Sequence, residues 1–115
     1  MSFVDLCRIV PDKLTEIEAA VQKAVTNEEC DLVILSGGTG FTPDDVTPEA
    51  VLKVIDKKAD SLVHYLQTEA LKITPMTCLS RTVIGTVTRG DKQIMIITLP
   101  GKPKAIVENL TILLA

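Results

Sequence analysis

The sequence predicts an α/β fold: a three-layer α/β/α sandwich with a mostly parallel sheet and one antiparallel hairpin strand. Three observations carry that prediction. Short apolar runs of strand length alternate with segments whose apolar residues recur every three to four positions. The run Asp31-Leu32-Val33-Ile34-Leu35-Ser36 is nearly continuous in apolar character, which suits a parallel strand covered on both faces. The order along the chain reads β-α-β-α-α-β-β-α, the alternation that builds a sheet between helix layers. A length of 115 residues fits one domain, residues 1–115.

Each element has its own signal. Phe3–Val10 reads as a short strand that stops at Pro11-Asp12. Asp12 is placed to cap a helix over Lys13–Val25, where Leu14, Ile17, Ala20, Val21, Ala24 and Val25 form one apolar stripe. The second strand, 31–36, breaks into Gly37-Gly38-Thr39-Gly40 and then Phe41-Thr42-Pro43-Asp44-Asp45-Val46. Thr47-Pro48-Glu49 is a helix start with cap, proline and first-turn acid. That helical pattern runs through Ile55, breaks near Ala59-Asp60-Ser61 and resumes to Leu71, and Pro75 then stops any helix. Thr82–Thr88 and Gln93–Leu99 flank a turn at Arg89-Gly90-Asp91-Lys92 and read as a hairpin, with Ile94–Ile97 buried. Pro103 opens a last helix with Ile106, Val107, Leu110, Leu113 and Leu114 on its apolar side.

Composition excludes several functions. With no Trp, one Tyr and two Phe, the core is aliphatic, and the composition argues against base stacking on nucleic acid. A net charge of −3 argues against a polyanion partner but leaves room for a local anion site. No apolar stretch reaches membrane-span length, and the N-terminus lacks a signal-peptide pattern. Cys7, Cys30 and Cys78 match no zinc or CxxC spacing; they read as small buried hydrophobes in a reducing, cytoplasmic setting. The sole histidine, His64, falls within a helical pattern, so no Cys–His nucleophile is expected.

In open α/β sheets ligands bind beyond the carboxyl ends of the strands. That points to Pro11-Asp12 and to the segment Gly37–Asp45; the end of the sheet at which Pro100-Gly101 lies depends on strand direction. The glycines let backbone approach an anion, although a tight turn explains them equally well. The adjacent carboxylates Asp44 and Asp45 repel unless cations or water offset the charge, and Mg²⁺ with phosphate is one solution; a solvated acidic loop is the other. Ser80-Arg81 offers a hydroxyl and a planar fork for phosphate, and Lys102 and Lys104 flank a helix start; surface exposure is the plain alternative for all four.

In one consistent order, the segments Ile9-Val10-Pro11-Asp12, Leu35-Ser36-Gly37-Gly38-Thr39-Gly40-Phe41-Thr42-Pro43, Asp45-Val46-Thr47-Pro48-Glu49-Ala50, Leu71-Lys72-Ile73-Thr74-Pro75, Cys78-Leu79-Ser80-Arg81 and Leu99-Pro100-Gly101-Lys102-Pro103 span nearly the whole chain. Together they resemble the molybdopterin adenylyltransferase family, the Mog-type, gephyrin-like domain of molybdenum cofactor biosynthesis. The resemblance implies adenylylation of molybdopterin by Mg²⁺-ATP, with release of pyrophosphate, in a cytoplasmic homotrimer. It implies that Asp12 and Asp45 act on Mg²⁺ and the nucleotide phosphates; Asp44 is a candidate second metal-side carboxylate on the chemistry of the Asp44-Asp45 pair alone. It also implies that Gly37, Gly38, Thr39 and Gly40 line the nucleotide end, that Ser80 lies on the pterin side, and that Arg81, Lys102 and Lys104 contact anions.

Two departures stand out. Asp44 occupies a position where the family commonly has Arg, and a doubled Asp resembles the competence-damage family. The family's opening strand, with its Val-Ser-Asp motif, has no match here, so the resemblance implies a domain shortened at its N-terminus. Three functions follow: a molybdopterin adenylyltransferase, a non-catalytic molybdopterin-binding or scaffold module, and a competence-damage-type nucleotide pyrophosphatase.

Overall fold

Ile17, Val21 and Val25 recur four residues apart, and they form the buried face of helix α1, Leu14–Val25. The computed structural model describes residues 7–27 and 29–114. The expected strand at Phe3–Val10 lies partly outside the described residues; Cys7–Val10 are irregular, without a ladder partner among the described residues. α1 begins one residue later than expected. Lys13 holds the N-cap position without a side-chain capping bond, and its N–H bonds to the Pro11 carbonyl (2.7 Å). That tight turn puts Asp12 at its apex, so Asp12 is not the helix cap.

Strand β1, Leu32–Ser36, is followed by helix α2, Thr47–Leu52, the two-residue strand β2, Lys57–Lys58, and helix α3, Asp60–Leu71. The hairpin is β3, Ile84–Arg89, with β4, Lys92–Leu99, and helix α4 is Pro103–Leu114. The sheet order is β1-β4-β3-β2. β1 runs parallel to β4, with Leu32 opposite Met95 and Ser36 opposite Leu99, while β3 is antiparallel to both β4 and β2. Gly90, with φ +64°, makes the two-residue hairpin turn.

Strand alternation divides the core between two faces. Val87, Ile94 and Ile96 pack with Ile17, Val21, Val25, Val51 and Val54 from α1 and α2. Ile84, Ile97 and Leu99 pack with Leu66 of α3, and Ile106, Leu110 and Leu113 of α4 close over them. The α/β/α layering expected from the sequence is present.

Local details differ for tertiary reasons. α2 ends at Leu52 and does not run through Ile55, because the Asp56 N–H is drawn to the Thr86 carbonyl (2.8 Å) as the chain enters β2. Its cap position is Val46; the Thr47 N–H is already committed to the Gly38 carbonyl (3.2 Å). Pro75 does not end helical structure but opens a 3-10 turn, Pro75–Leu79, supported by Thr74 Oγ1 accepting from the Met76 N–H (3.2 Å). On α4, Val107 and Leu114 are exposed, since its apolar arc is wider than the surface beneath it. β1 is covered on one face only: Val33 and Leu35 face the α1 side, while Leu32 and Ile34 are nearly half exposed. Cys7 and Cys78 are exposed, Cys78 within the surface 3-10 turn, while Cys30 is half-buried against the edge of the α1-side core, so only Cys30 approaches the buried hydrophobe expected of all three.

This division predicts a sharp contrast in denaturant unfolding. Ile96→Ala, in the fully buried centre of β4, lowers stability by about 2–5 kcal/mol. Ile34→Ala, on the uncovered face of β1, costs no more than about 1 kcal/mol.

Candidate functional site

Because β4 runs parallel to β1, the loops that follow both strands emerge at one end of the sheet. The Gly37 N–H extends the ladder by one bond, to the Leu99 carbonyl (2.9 Å). Gly37 and Gly38 then turn the chain with φ +95° and +67°, a region that side-chain-bearing residues rarely adopt. Gly101 lies against Gly37 so closely that a Cβ on Gly101 would stand 3.3 Å from the Gly37 Cα. Pro100-Gly101 and Lys102 therefore belong to the same end as the glycine loop. The N–H groups of Gly38 and Thr39 make no backbone hydrogen bond among the described residues.

Asp45 closes the loop from its far side. Its Oδ2 accepts from the Thr42 N–H (3.0 Å) and the Thr42 hydroxyl (2.8 Å), while the Asp45 N–H bonds the Thr42 carbonyl (3.0 Å). The Thr42 hydroxyl bond is the leading cause of a carboxyl pKa below the usual aspartate value; the Arg81 charge and the Gly40 N–H act in the same direction. Asp45 is thus ionised at neutral pH, and among the described residues Oδ1 has no protein hydrogen-bond donor.

Arg81 joins the loop to α2. Its Nε donates to the Gly40 carbonyl and its Nη2 to the Asp45 carbonyl, both at 2.7 Å. Nη1 and Nη2 grip the Glu49 carboxylate at 2.5 and 3.2 Å, a bidentate pair. The bond from Arg81 is the main reason Glu49 titrates below its usual value. Beside it, the Arg81 N–H bonds the Thr39 carbonyl (2.9 Å), and the Ser80 hydroxyl donates to Thr39 Oγ1 (3.2 Å) and lies 3.4 Å from Thr82 Oγ1.

The structure gathers Gly37–Gly40, Asp45, Ser80, Arg81 and the Gly101-Lys102 turn. Asp44 and Lys102 are exposed on its rim, and Lys104 pairs loosely along α4 with Glu108 (4.0 Å). Asp12 stands exposed in the turn before α1 and takes no part in this hydrogen-bonded network. Sequence reasoning missed Glu49 as the Arg81 partner and Thr42 as the Asp45 donor. The available signal was an acid in the first turn of a helix directly after a glycine loop. Two surface grooves lie at Arg8–Pro11 with α1 and around Arg89 and Lys92, while residues 41–44 of the loop are exposed, so the segment forms an open ledge. Among the described residues no three His, Cys, Asp or Glu side chains converge on a metal position. A cation here would take one or two carboxylates and draw its other ligands from the bound molecule and water, the habit of Mg²⁺.

The lowered Asp45 value has a definite sign. Its stabilising contribution is complete above the ordinary 3.8 and is lost as pH falls through the lowered native value. Carboxyl-carbon NMR should show Asp45 titrating below 3.8, and Thr42→Val should move it upward. Gly38→Ala, forced to hold φ +67° against the Thr47 side chain, should lower unfolding free energy by at least about 1 kcal/mol.

Comparison with known proteins fits this geometry. Residues 4–115 match the family described as "Probable molybdopterin binding domain". The chain is 36% identical over 114 residues to gephyrin of Dictyostelium discoideum, covering 99% of this chain and 15% of that protein. It is 38% identical over 103 residues to a molybdopterin adenylyltransferase of Haemophilus influenzae, covering 90% of this chain and 50% of that one. The solved structure of the molybdopterin biosynthesis enzyme MoaB from Thermus thermophilus superposes with a TM-score of 0.77 at 36% identity, over 90% of this chain and 63% of that one. The chain thus spans about half the length of the bacterial adenylyltransferase it matches. With the glycine loop, Asp45 and the Ser80-Arg81 segment assembled at one end of a shared fold, the chain belongs to the molybdopterin-binding domain family of molybdenum cofactor biosynthesis proteins.

Proposed function

We propose that this chain binds molybdopterin and Mg²⁺-ATP on the ledge at the carboxyl ends of β1 and β4 and transfers an adenylyl group between them. The observation that carries the reading is Asp45, held ionised on the same glycine loop whose Gly38 and Thr39 N–H groups lack a backbone partner among the described residues. Relatives named as molybdopterin adenylyltransferases support the substrate class. In the reaction an oxygen of the terminal phosphate of molybdopterin attacks the α-phosphorus of ATP. A P–O bond forms, the bond to pyrophosphate breaks, and pyrophosphate leaves.

No side-chain nucleophile is needed, so this chain's contribution is alignment and charge. The Gly38 and Thr39 N–H groups hold a phosphate, and the hydroxyl cluster of Ser80 and Thr82 lies toward the pterin side. Asp45, with Asp44 beside it, holds the cation, and Lys102 meets negative charge from the rim. Mg²⁺, when bound, neutralises charge on the transferring phosphates. Asp12 is assigned the second acidic role, and the assembly is assigned as a homotrimer, which light scattering tests directly.

Pyrophosphate release from ATP, measured with and without molybdopterin and Mg²⁺, tests the reading. The wild-type chain should release pyrophosphate only with both, and Asp45→Asn should slow release by about 100-fold or more. Binding of molybdopterin without turnover would leave a scaffold module. Hydrolysis of a pyrophosphate-linked nucleotide indifferent to molybdopterin would move the chain to the competence-damage type of activity.

A further inference from the structure

We propose that Arg81 is a positioning residue that clasps the Gly40–Asp45 loop onto α2 through Glu49, and does not itself contact substrate. Where substrate is concerned, the proposal rests on the function assigned above.

Three features of the geometry carry it. First, the Gly40 and Asp45 carbonyls that Arg81 holds bracket the segment 41–44, so one guanidinium sets both ends of the loop. Second, four of the five donors of the group are committed, to Gly40, Asp45 and both oxygens of Glu49. The Phe41 ring lies 5.5 Å from its centre and covers part of what remains. Third, the charge is balanced locally. Glu49 forms the direct ion pair with Arg81, and the Asp45 carboxylate feels the same charge only through space. An incoming polyphosphate would therefore meet Asp44 and Asp45 with the Arg81 charge already directed at Glu49.

Only a planar fork can reach two carbonyls and a carboxylate at once; a lysine ammonium is a point charge on a flexible stem. Glu49 is the second half of the device. It lies in the first turn of α2, the helix that follows the loop, and it fixes the direction of the guanidinium. An arginine meant for phosphate would gain reach if Glu49 were neutralised. A clasp would fail.

The test uses the whole chain, with Arg81→Lys, Glu49→Gln and the double variant. Hydrogen exchange is followed at the Thr42, Asp45 and Thr47 amides, which are bonded within or across the loop. Each single variant should speed exchange at these amides by about tenfold or more, since charge-assisted bonds are lost. Each should lower kcat for adenylyl transfer by about tenfold or more while KM for Mg²⁺-ATP shifts less than about twofold. The double variant should be no worse than the poorer single variant by more than about twofold, as expected for two halves of one interaction.

Ile96→Val serves as a control that lowers the unfolding midpoint in the core without moving kcat at 25 °C. If Glu49→Gln leaves exchange and kcat at wild-type values while Arg81→Lys raises KM for Mg²⁺-ATP, Arg81 is a substrate contact and the proposal fails. If the wild-type chain shows no adenylyl transfer, the assigned function fails on its own. The exchange arm then still decides the clasp: faster exchange in both single variants upholds it, and unchanged exchange overturns it.

Discussion

Five residues of β1 run alongside Met95–Leu99 in the same direction, and that shared direction brings two loops more than sixty positions apart to one end of the sheet. Had β4 run the other way, Pro100-Gly101 would leave from the opposite end and the glycine loop would stand alone. The Gly37 N–H continues the ladder to Leu99 for one step beyond β1. The contact of Gly37 with Gly101 is close enough that a Cβ on Gly101 would require the Gly37 backbone to give by a few tenths of an ångström. The positive φ of Gly37 and Gly38 then turns the chain sharply away from the strand. The site is a consequence of sheet direction before it is a consequence of any charged residue.

A second layer of organisation sits on that frame. A loop this exposed has few apolar contacts to hold it, and side-chain bonds take over the task. Thr42 holds the Asp45 carboxylate, Gly38 holds the start of α2, and Arg81 with Glu49 ties both ends of the loop to the helix. Charge is thereby sorted by function. Arg81 pairs directly with Glu49, while Asp44 and Asp45 stand on the exposed loop. Asp44, exposed next to Asp45, deepens that negative character.

The two faces of the sheet are unequal. α1 and α2 cover β1, β4 and β3 on one side, whereas α3 and α4 reach only the hairpin strands on the other. β1 ends the sheet among the described residues, so its outward pair, Leu32 and Ile34, keeps nearly half of its area in water. The core itself is aliphatic throughout, in keeping with a chain that has only three aromatic side chains besides its one histidine.

Much was legible from residue order alone. Periodicity marks α1 through Ile17, Val21 and Val25, the hairpin through its Gly90 turn, and α4 through Pro103, because each depends on neighbours within one or two turns of chain. The glycine loop and Asp45 were legible as candidates for the same reason: their chemistry is local. What stayed hidden depends on partners distant in sequence. The cap expected of Asp12 lost to a turn closed by Pro11, and the run of α2 was cut short by the pull of β3 on Asp56. The Arg81–Glu49 pair spans 32 positions. A sequence shows that a guanidinium and a carboxylate exist; only the folded backbone decides that they meet, because attraction between charges acts through distance in space and not along the chain. Which elements form, and which residue types stand at the ledge, follow from near neighbours in the chain. Strand direction, the uncovered face of β1 and the bonds that hold the loop in place come from packing between distant segments, which no local pattern encodes.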